Sequence, residues 1–210
     1  MFCPFTKFVL LCGFSLLYFA PSYAQLNDDT YHQLVNDELS YSESNDILFV
    51  LRETVDLSSS LTFQNAVLID YKDQAFKTAG RYRPESDEIE IKIDERVKTV
   101  YPQKVKAVKI GKMIFIPLEI PAAGNENTGY FQIISTGKKS LLKRYVSENG
   151  KTEKQFYILD EDKPRLLETK KKCILKELDD DKVRDFIKSN DTDVKREKDL
   201  LSVFDFYNNL

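Results

Sequence analysis

Through the middle of this chain, apolar and polar side chains change places at every second residue. Glu88-Ile89-Glu90-Ile91-Lys92-Ile93 shows it most cleanly, and Thr78 to Arg83 and the set Val67, Ile69 and Tyr71 keep the same spacing. A period of two sends alternate side chains to opposite faces, so these segments predict strands with one face buried and one in water. Ile47 to Leu51, Leu61 to Tyr71, Val105 to Ile110, Met113 to Ile120, Thr128 to Ser135, Ser140 to Ser147 and Lys154 to Leu159 extend the series. Pro117 predicts an edge or a bulge at the end of its segment, since proline cannot donate to a ladder. Gly111-Lys112, Ala123-Gly124-Asn125, Thr136-Gly137-Lys138 and Asn149-Gly150 separate the segments. Asn149-Gly150 is the sharpest turn signal, because a type I′ hairpin needs positive φ at both central residues.

After Pro164 the spacing lengthens. Val183, Phe186 and Ile187 share one helical face behind Asp179-Asp180-Asp181, whose carboxylates suit a helix N-terminus. Leu200, Leu201, Phe204 and Tyr207 form a second stripe, with Asn190-Asp191-Thr192 expected to cap it. These patterns predict a mainly β (α+β) fold: an antiparallel meander sheet or open barrel with a C-terminal helical hairpin over about 178–208. Residues 25–46 read as a polar lead-in with one weak helical turn around Tyr31 to Leu39. With no repeat and no low-complexity linker, 47–210 is expected to be a single β-rich domain.

The first twenty-four residues follow a different rule. Lys7 precedes an apolar run from Phe8 to Ala20, Pro21 breaks it, and Ser22-Tyr23-Ala24 puts small residues three and one positions before Gln25. That is the layout of a cleaved export signal, and it predicts a periplasmic, cell-surface or secreted product. The run is too short for a membrane span, which needs about 20 residues, and no later run is longer. A lipid anchor at Cys12 is the rival; bulky Leu11 before it, and apolar residues continuing after it, favour free export.

Subtracting 24 leader residues from 210 leaves 186. Lys7 is the leader's one charged residue, so the mature chain would carry 30 Lys and Arg (31 less one) against 34 Asp and Glu. This acidic balance argues against a nucleic-acid partner. Cys173 would be the only remaining cysteine, which excludes an internal disulfide; a small buried hydrophobe is the favoured reading over a reactive thiol.

Chemistry is sparse. His32 is the sole histidine and lies in the lead-in, so neither a histidine-dependent triad nor a zinc site has its ligands. Ser140-Leu141-Leu142-Lys143 has Ser-x-x-Lys spacing but falls in a strand-like segment without companion motifs. The clusters at Asp160 to Asp162, Asp179 to Asp181 and Asp191 to Asp193 lack the glycine and terminal Glu of a calcium loop. No metal or cofactor is expected. Glu88 and Glu90, on one strand face, are the only motive for a carboxylate-based hydrolase. Tyr130, Phe131 and Tyr145, with Lys138, Lys139 and Arg144, form the candidate interaction surface. The aromatic members could line a groove or pack across strands, and the basic members could meet an acidic surface or simply be solvated.

Gly80-Arg81-Tyr82-Arg83 followed by Asp87-Glu88-Ile89-Glu90, Gly129-Tyr130-Phe131 with Gly137-Lys138, and the tail from Asp181 to Asn208 resemble a set of uncharacterised signal-peptide-bearing, β-rich exported proteins of Gram-negative bacteria. The resemblance implies the compartment and the architecture, and carries over no catalytic or binding residue. The expected role is non-enzymatic binding of another envelope component, through a strand edge or the concave face of the sheet. The alternative is a carrier holding an apolar ligand in a half-barrel cavity.

Overall fold

A computed structural model describes residues 28–36, 50–53, 62–120, 127–160 and 163–210. The leader, most of the polar lead-in and the Ala123-Gly124-Asn125 turn lie outside them.

Among the described residues, eleven strands form one antiparallel, open sheet. They are β1 (Val50–Glu53), β2 (Gln64–Ile69), β3 (Ala75–Arg83), β4 (Glu88–Ile93), β5 (Arg96–Val100), β6 (Ala107–Ile110), β7 (Met113–Glu119), β8 (Thr128–Ser135), β9 (Ser140–Glu148), β10 (Lys151–Asp160) and β11 (Lys163–Leu167). Helix α1 (Asp28–Asn36) precedes the sheet; α2 (Lys171–Leu178), α3 (Asp181–Ser189) and α4 (Glu197–Asn208) follow it. The strand order is β1-β5-β4-β3-β2-β6-β7-β8-β9-β10-β11, so the meander is interrupted where β6 returns to the far flank of β2.

That return makes the sheet curl. Only six residues, including the short 3₁₀ turn Pro102–Lys104, join β5 to β6 although three strands stand between them. The Tyr130 hydroxyl, on β8, donates to the Val100 carbonyl of β5 at 3.0 Å. Strands six places apart in the ladder are thereby brought together across the concave face. The face is filled: Tyr82, Ile89, Ile91, Val108, Phe115 and Tyr130 are buried in one cluster, and the Tyr82 and Phe115 rings lie 4.6 Å apart. On the opposite face Phe131, Leu142 and Tyr157 pack with Ile116, and Leu34 of α1 is buried among them.

Several turns follow from single residues. Asn149 and Gly150 have φ of 52° and 75°, and the Lys151↔Glu148 register closes the expected two-residue hairpin. Pro117 lies inside β7, not at an edge, and is buried. It comes after Phe115, the last residue of β7 in register with β6, so on that flank there is no ladder for it to interrupt.

The C-terminal region differs from the expected hairpin by one helix and one cap. There are three helices, and the three aspartates divide the work between two of them. Asp179 ends α2 in the left-handed region (φ 42°), and the Asp180 carboxylate caps α3 by accepting from the Lys182 N–H at 2.7 Å. Asn190 closes α3 instead of opening the next helix, which begins only at Glu197. Buried Val194 anchors the intervening turn in the core between helices and sheet. Asn208, at the end of α4, reaches back to the β8–β9 turn. Its side-chain amide donates to the carbonyls of Thr136 and Lys139, both at 3.0 Å, and accepts from the Lys139 N–H at 3.1 Å.

Two glutamates fasten this helical layer to the sheet. Glu177 takes Lys139 (2.6 Å) and Arg165 (2.7 Å); Glu197 takes Lys143 (2.7 Å) and Lys154 (2.8 Å). Partial burial pushes both carboxyls up, but the lysine and arginine hydrogen bonds outweigh it and hold them below the ordinary glutamate value. Their stabilisation is therefore complete above the unfolded-state value of about 4.3 and is lost as pH falls through the lower folded-state values. Acidification from pH 7 to 3 is expected to release amide-exchange protection in α2–α4 before it does in β2–β4. Simultaneous loss in both regions would contradict this.

Candidate interaction site

The two strands of the Asn149-Gly150 hairpin outrun their neighbours. β9 is registered on β8 only through Leu141, Leu142 and Lys143, so Arg144–Glu148 continue past the β8 ladder, with the Arg144 side chain still lying against Gly129 and Phe131. β10 is registered on β11 only from Phe156 to Asp160, so Lys151–Gln155 stand clear of β11. The result is a two-stranded arm whose β10 flank at Lys151–Gln155 lies outside any ladder among the described residues, while Asp87 sits against the β9 flank.

The root of the arm is held by a half-buried acid. Asp87, at φ 53° in the β3–β4 turn, places its carboxylate where β8 and β9 part. It accepts from Arg144 Nη2 at 2.8 Å, from the Tyr82 hydroxyl at 2.8 Å and, more distantly, from the Tyr130 N–H at 3.4 Å. Burial raises the Asp87 carboxyl above its usual range against the pull of Arg144 and these donors, and lifts the Tyr82 phenol well above its own. Gly129 makes the room. A Cβ there would lie 2.6 Å from Asp87 Oδ2 and 2.8 Å from Arg144 Nε. Gly129→Ala is expected to cost about 1–3 kcal/mol, the usual range for forcing volume into a packed site, as read from the urea midpoint. An unchanged midpoint would show that Asp87 and Arg144 can part freely.

Below the arm, on the β11 side, lies an open groove of ≈ 470 Å³. Phe156, Leu166 and Leu167 line it with Lys154, Lys170 and Lys195. Phe156 and Leu167 are buried, while Leu166 is 53% exposed. Pro164, which obscures this strand in the sequence, sits on the outermost strand of the sheet, where a missing N–H is tolerated.

The six residues singled out from sequence do not gather on one surface. Tyr130 and Phe131 are core residues, 1% and 0% exposed, on opposite faces of β8; for these two, cross-strand packing is the correct alternative. Tyr145 is half-buried, with its ring 6.0 Å from Tyr82. Arg144 is bound to Asp87, and Lys139 to Glu177 and the Asn208 side chain. Lys138 is exposed, its ammonium 5.7 Å from the Tyr207 ring. A basic run in sequence has become separate attachments, because neighbours on a strand point to opposite faces.

Other candidates resolve in the same way. Glu90 is buried and takes Arg81 Nε at 2.7 Å and Arg83 Nη1 at 3.3 Å, so it forms an ion cluster with arginines instead of an acid pair with Glu88. Ser140 and Lys143 lie on opposite faces of β9. Cys173 is half-buried on α2, less enclosed than expected, with its thiol 3.7 Å from a Glu168 carboxylate oxygen. His32 is exposed on α1. Among the described residues, no group of three His, Cys, Asp or Glu side chains could hold a metal, and no helix is long and apolar enough to cross a membrane.

Sequence reasoning missed Asp87, Gly129 and the groove around Leu166. The one available signal was Asn149-Gly150, which locates the tip of the arm but not the lengths of the strands beside it. Set against protein-family models, curated proteins and solved structures, the chain matches none of them.

Proposed function

We propose that this is an exported, non-enzymatic protein that binds another cell-envelope component through the edge formed by β10, β11 and the turns that precede α2 and α4. The observation that carries this reading is the free flank of β10 at Lys151–Gln155, continuous with a lysine-rimmed groove. Export rests on the leader layout, and the resemblance to exported β-rich proteins supports the same compartment.

Of the two surfaces considered for binding, the concave face is occupied by its own rings, which favours the strand edge. The same filling weighs against an apolar-ligand carrier. The arginines around Glu90 weigh against a carboxylate hydrolase.

The test uses the full chain with a C-terminal tag in a Gram-negative host. It is expected to leave the cytoplasm, to begin at Gln25, and to sediment with isolated envelopes. The triple variant K154E/K170E/K195E is expected to lose at least nine-tenths of that sedimentation. Retention in the cytoplasm, or sedimentation unaffected by charge reversal, would overturn the proposal.

A further inference from the structure

We infer that β10 is a template for strand addition, and that its occupant is an extended, acidic segment of the partner. This deepens the proposed function and rests on its assignment of the binding edge.

The inference starts from hydrogen-bond parity. A two-residue type I′ hairpin is closed by a residue pair that exchanges both backbone bonds, here Glu148 and Lys151. Inward and outward pairs then alternate along the strand. Lys151, Glu153 and Gln155 turn their N–H and C=O toward β9, while Thr152 and Lys154 turn theirs away from it. The next outward residue is Phe156, and that is where β11 begins to pair. β11 thus uses the outward groups of β10 as far as Phe156 and then leaves toward α2. The unused positions continue the same ladder for five residues, about 17 Å at the usual strand rise.

Charge and shape narrow the occupant. The lining of the groove beside this flank carries Lys154, Lys170 and Lys195 against a single acid, Glu168; Glu168 takes Lys170 at 2.8 Å and Glu197 takes Lys154 at 2.8 Å, so an acidic occupant would share these two lysines and add its charge to Lys195. The apolar side chains there are Leu166, half exposed, and the rims of Phe156 and Leu167. A strand that replaced β11 along this stretch would satisfy the backbone of Thr152 and Lys154. Its carboxylates would meet Lys154 on the Phe156 face of the sheet, and its alternate apolar residues would meet Leu166, which is registered with Tyr157 on the other face. Main-chain bonds then supply affinity, and the alternating pockets supply selectivity.

The probe is a blocked eight-residue peptide alternating Glu and Val, compared with its Lys–Val counterpart and with a Glu–Val peptide N-methylated at alternate residues. The Glu–Val peptide is expected to bind at least tenfold more tightly than either, and to slow amide exchange at Thr152 and Lys154. T152P is expected to weaken it at least tenfold, because proline removes an outward donor at a position where an outer strand tolerates it; T152A should stay within twofold. The N-methylated peptide tests the same bonds even if T152P fails to fold. Equal binding of the Lys–Val peptide, or unchanged exchange at Thr152 and Lys154, would overturn the inference. So would self-association of the wild type that T152P abolishes, which would make a second copy the occupant. Binding of phosphatidylglycerol vesicles that is indifferent to T152P and to the Glu–Val peptide would also overturn it, in favour of a lipid surface. If T152P sediments with envelopes like the wild type while K154E/K170E/K195E does not, strand addition falls and the binding edge stands. If both variants sediment like the wild type, both fall.

Discussion

Glu90→Ala is expected to destabilise the protein by about 3–5 kcal/mol, the range for removing one partner of a buried ion pair. Glu90 is 0% exposed and Arg81 only 3%. Removing the carboxylate strips Arg81 and Arg83 of a shared acceptor, and at Arg81, 3% exposed, water cannot replace it. The Arg81 guanidinium also lies over the Phe63 ring, 4.4 Å from its centre, so its displacement disturbs apolar packing as well. The measurement is a urea denaturation midpoint at constant m-value. Glu153→Ala is the control: Glu153 pairs with Lys151 where both are more than half exposed, and its loss is expected to leave the midpoint essentially unmoved. Equal effects of the two substitutions would mean that the Glu90 cluster is hydrated.

The second large effect is expected at Phe204. This residue is 0% exposed on α4 and belongs to the cluster that joins the helices to Leu141, Phe156 and Ile158 of the sheet. Phe204→Ala removes a buried ring and leaves a cavity, with an expected loss of about 3–5 kcal/mol. Its regional signature separates it from Glu90→Ala. Amide protection should fall first in α2–α4 and at Lys139, whose N–H is held by Asn208 at the end of the same helix. A uniform loss across the sheet would show that helices and sheet unfold as one unit, without a separable layer.

The two substitutions probe opposite faces of one sheet: Glu90 alternates with Ile89 and Ile91 of the concave face and so points away from it, whereas Phe204 packs on the concave side, which is covered in two ways. Toward β2–β8 the sheet rolls onto its own aromatic rings; toward β9–β11 three helices cover it. The arm leaves the sheet beside that junction, with Asp87 at its root and Glu197 of α4 holding Lys143 and Lys154. The free flank of β10 is thus presented by well-packed elements.

How much of this is legible in the chain depends on the range of the interaction responsible. β4 and β8 occupy the residues that alternation predicts, and Asn149-Gly150 marks its turn, because each is decided by neighbours in sequence. β5 escaped notice because the turn before it puts Asp94 and Glu95 at φ of 48° and 64°, where glycine or asparagine is the usual signal. β11 escaped because Pro164 reads as a breaker unless the strand is known to be outermost. Of the six candidate surface residues, Tyr130 and Phe131 could not be assigned from sequence, since alternation says that one strand face is buried but not that both are.

By itself, then, the sequence determined the antiparallel β class, most of the strands, the helical tail and the leader layout, all consequences of side-chain period and turn chemistry within a few residues. Tertiary structure alone decided that the sheet curls and fills its concave face, that Asp87 lies between β8 and β9, and that β10 extends five residues past β11. Those outcomes depend on which strands meet across the fold and how far each ladder runs. They are set by contacts between residues 43 and 57 positions apart, such as Asp87 with Tyr130 and Arg144, which no local period can encode.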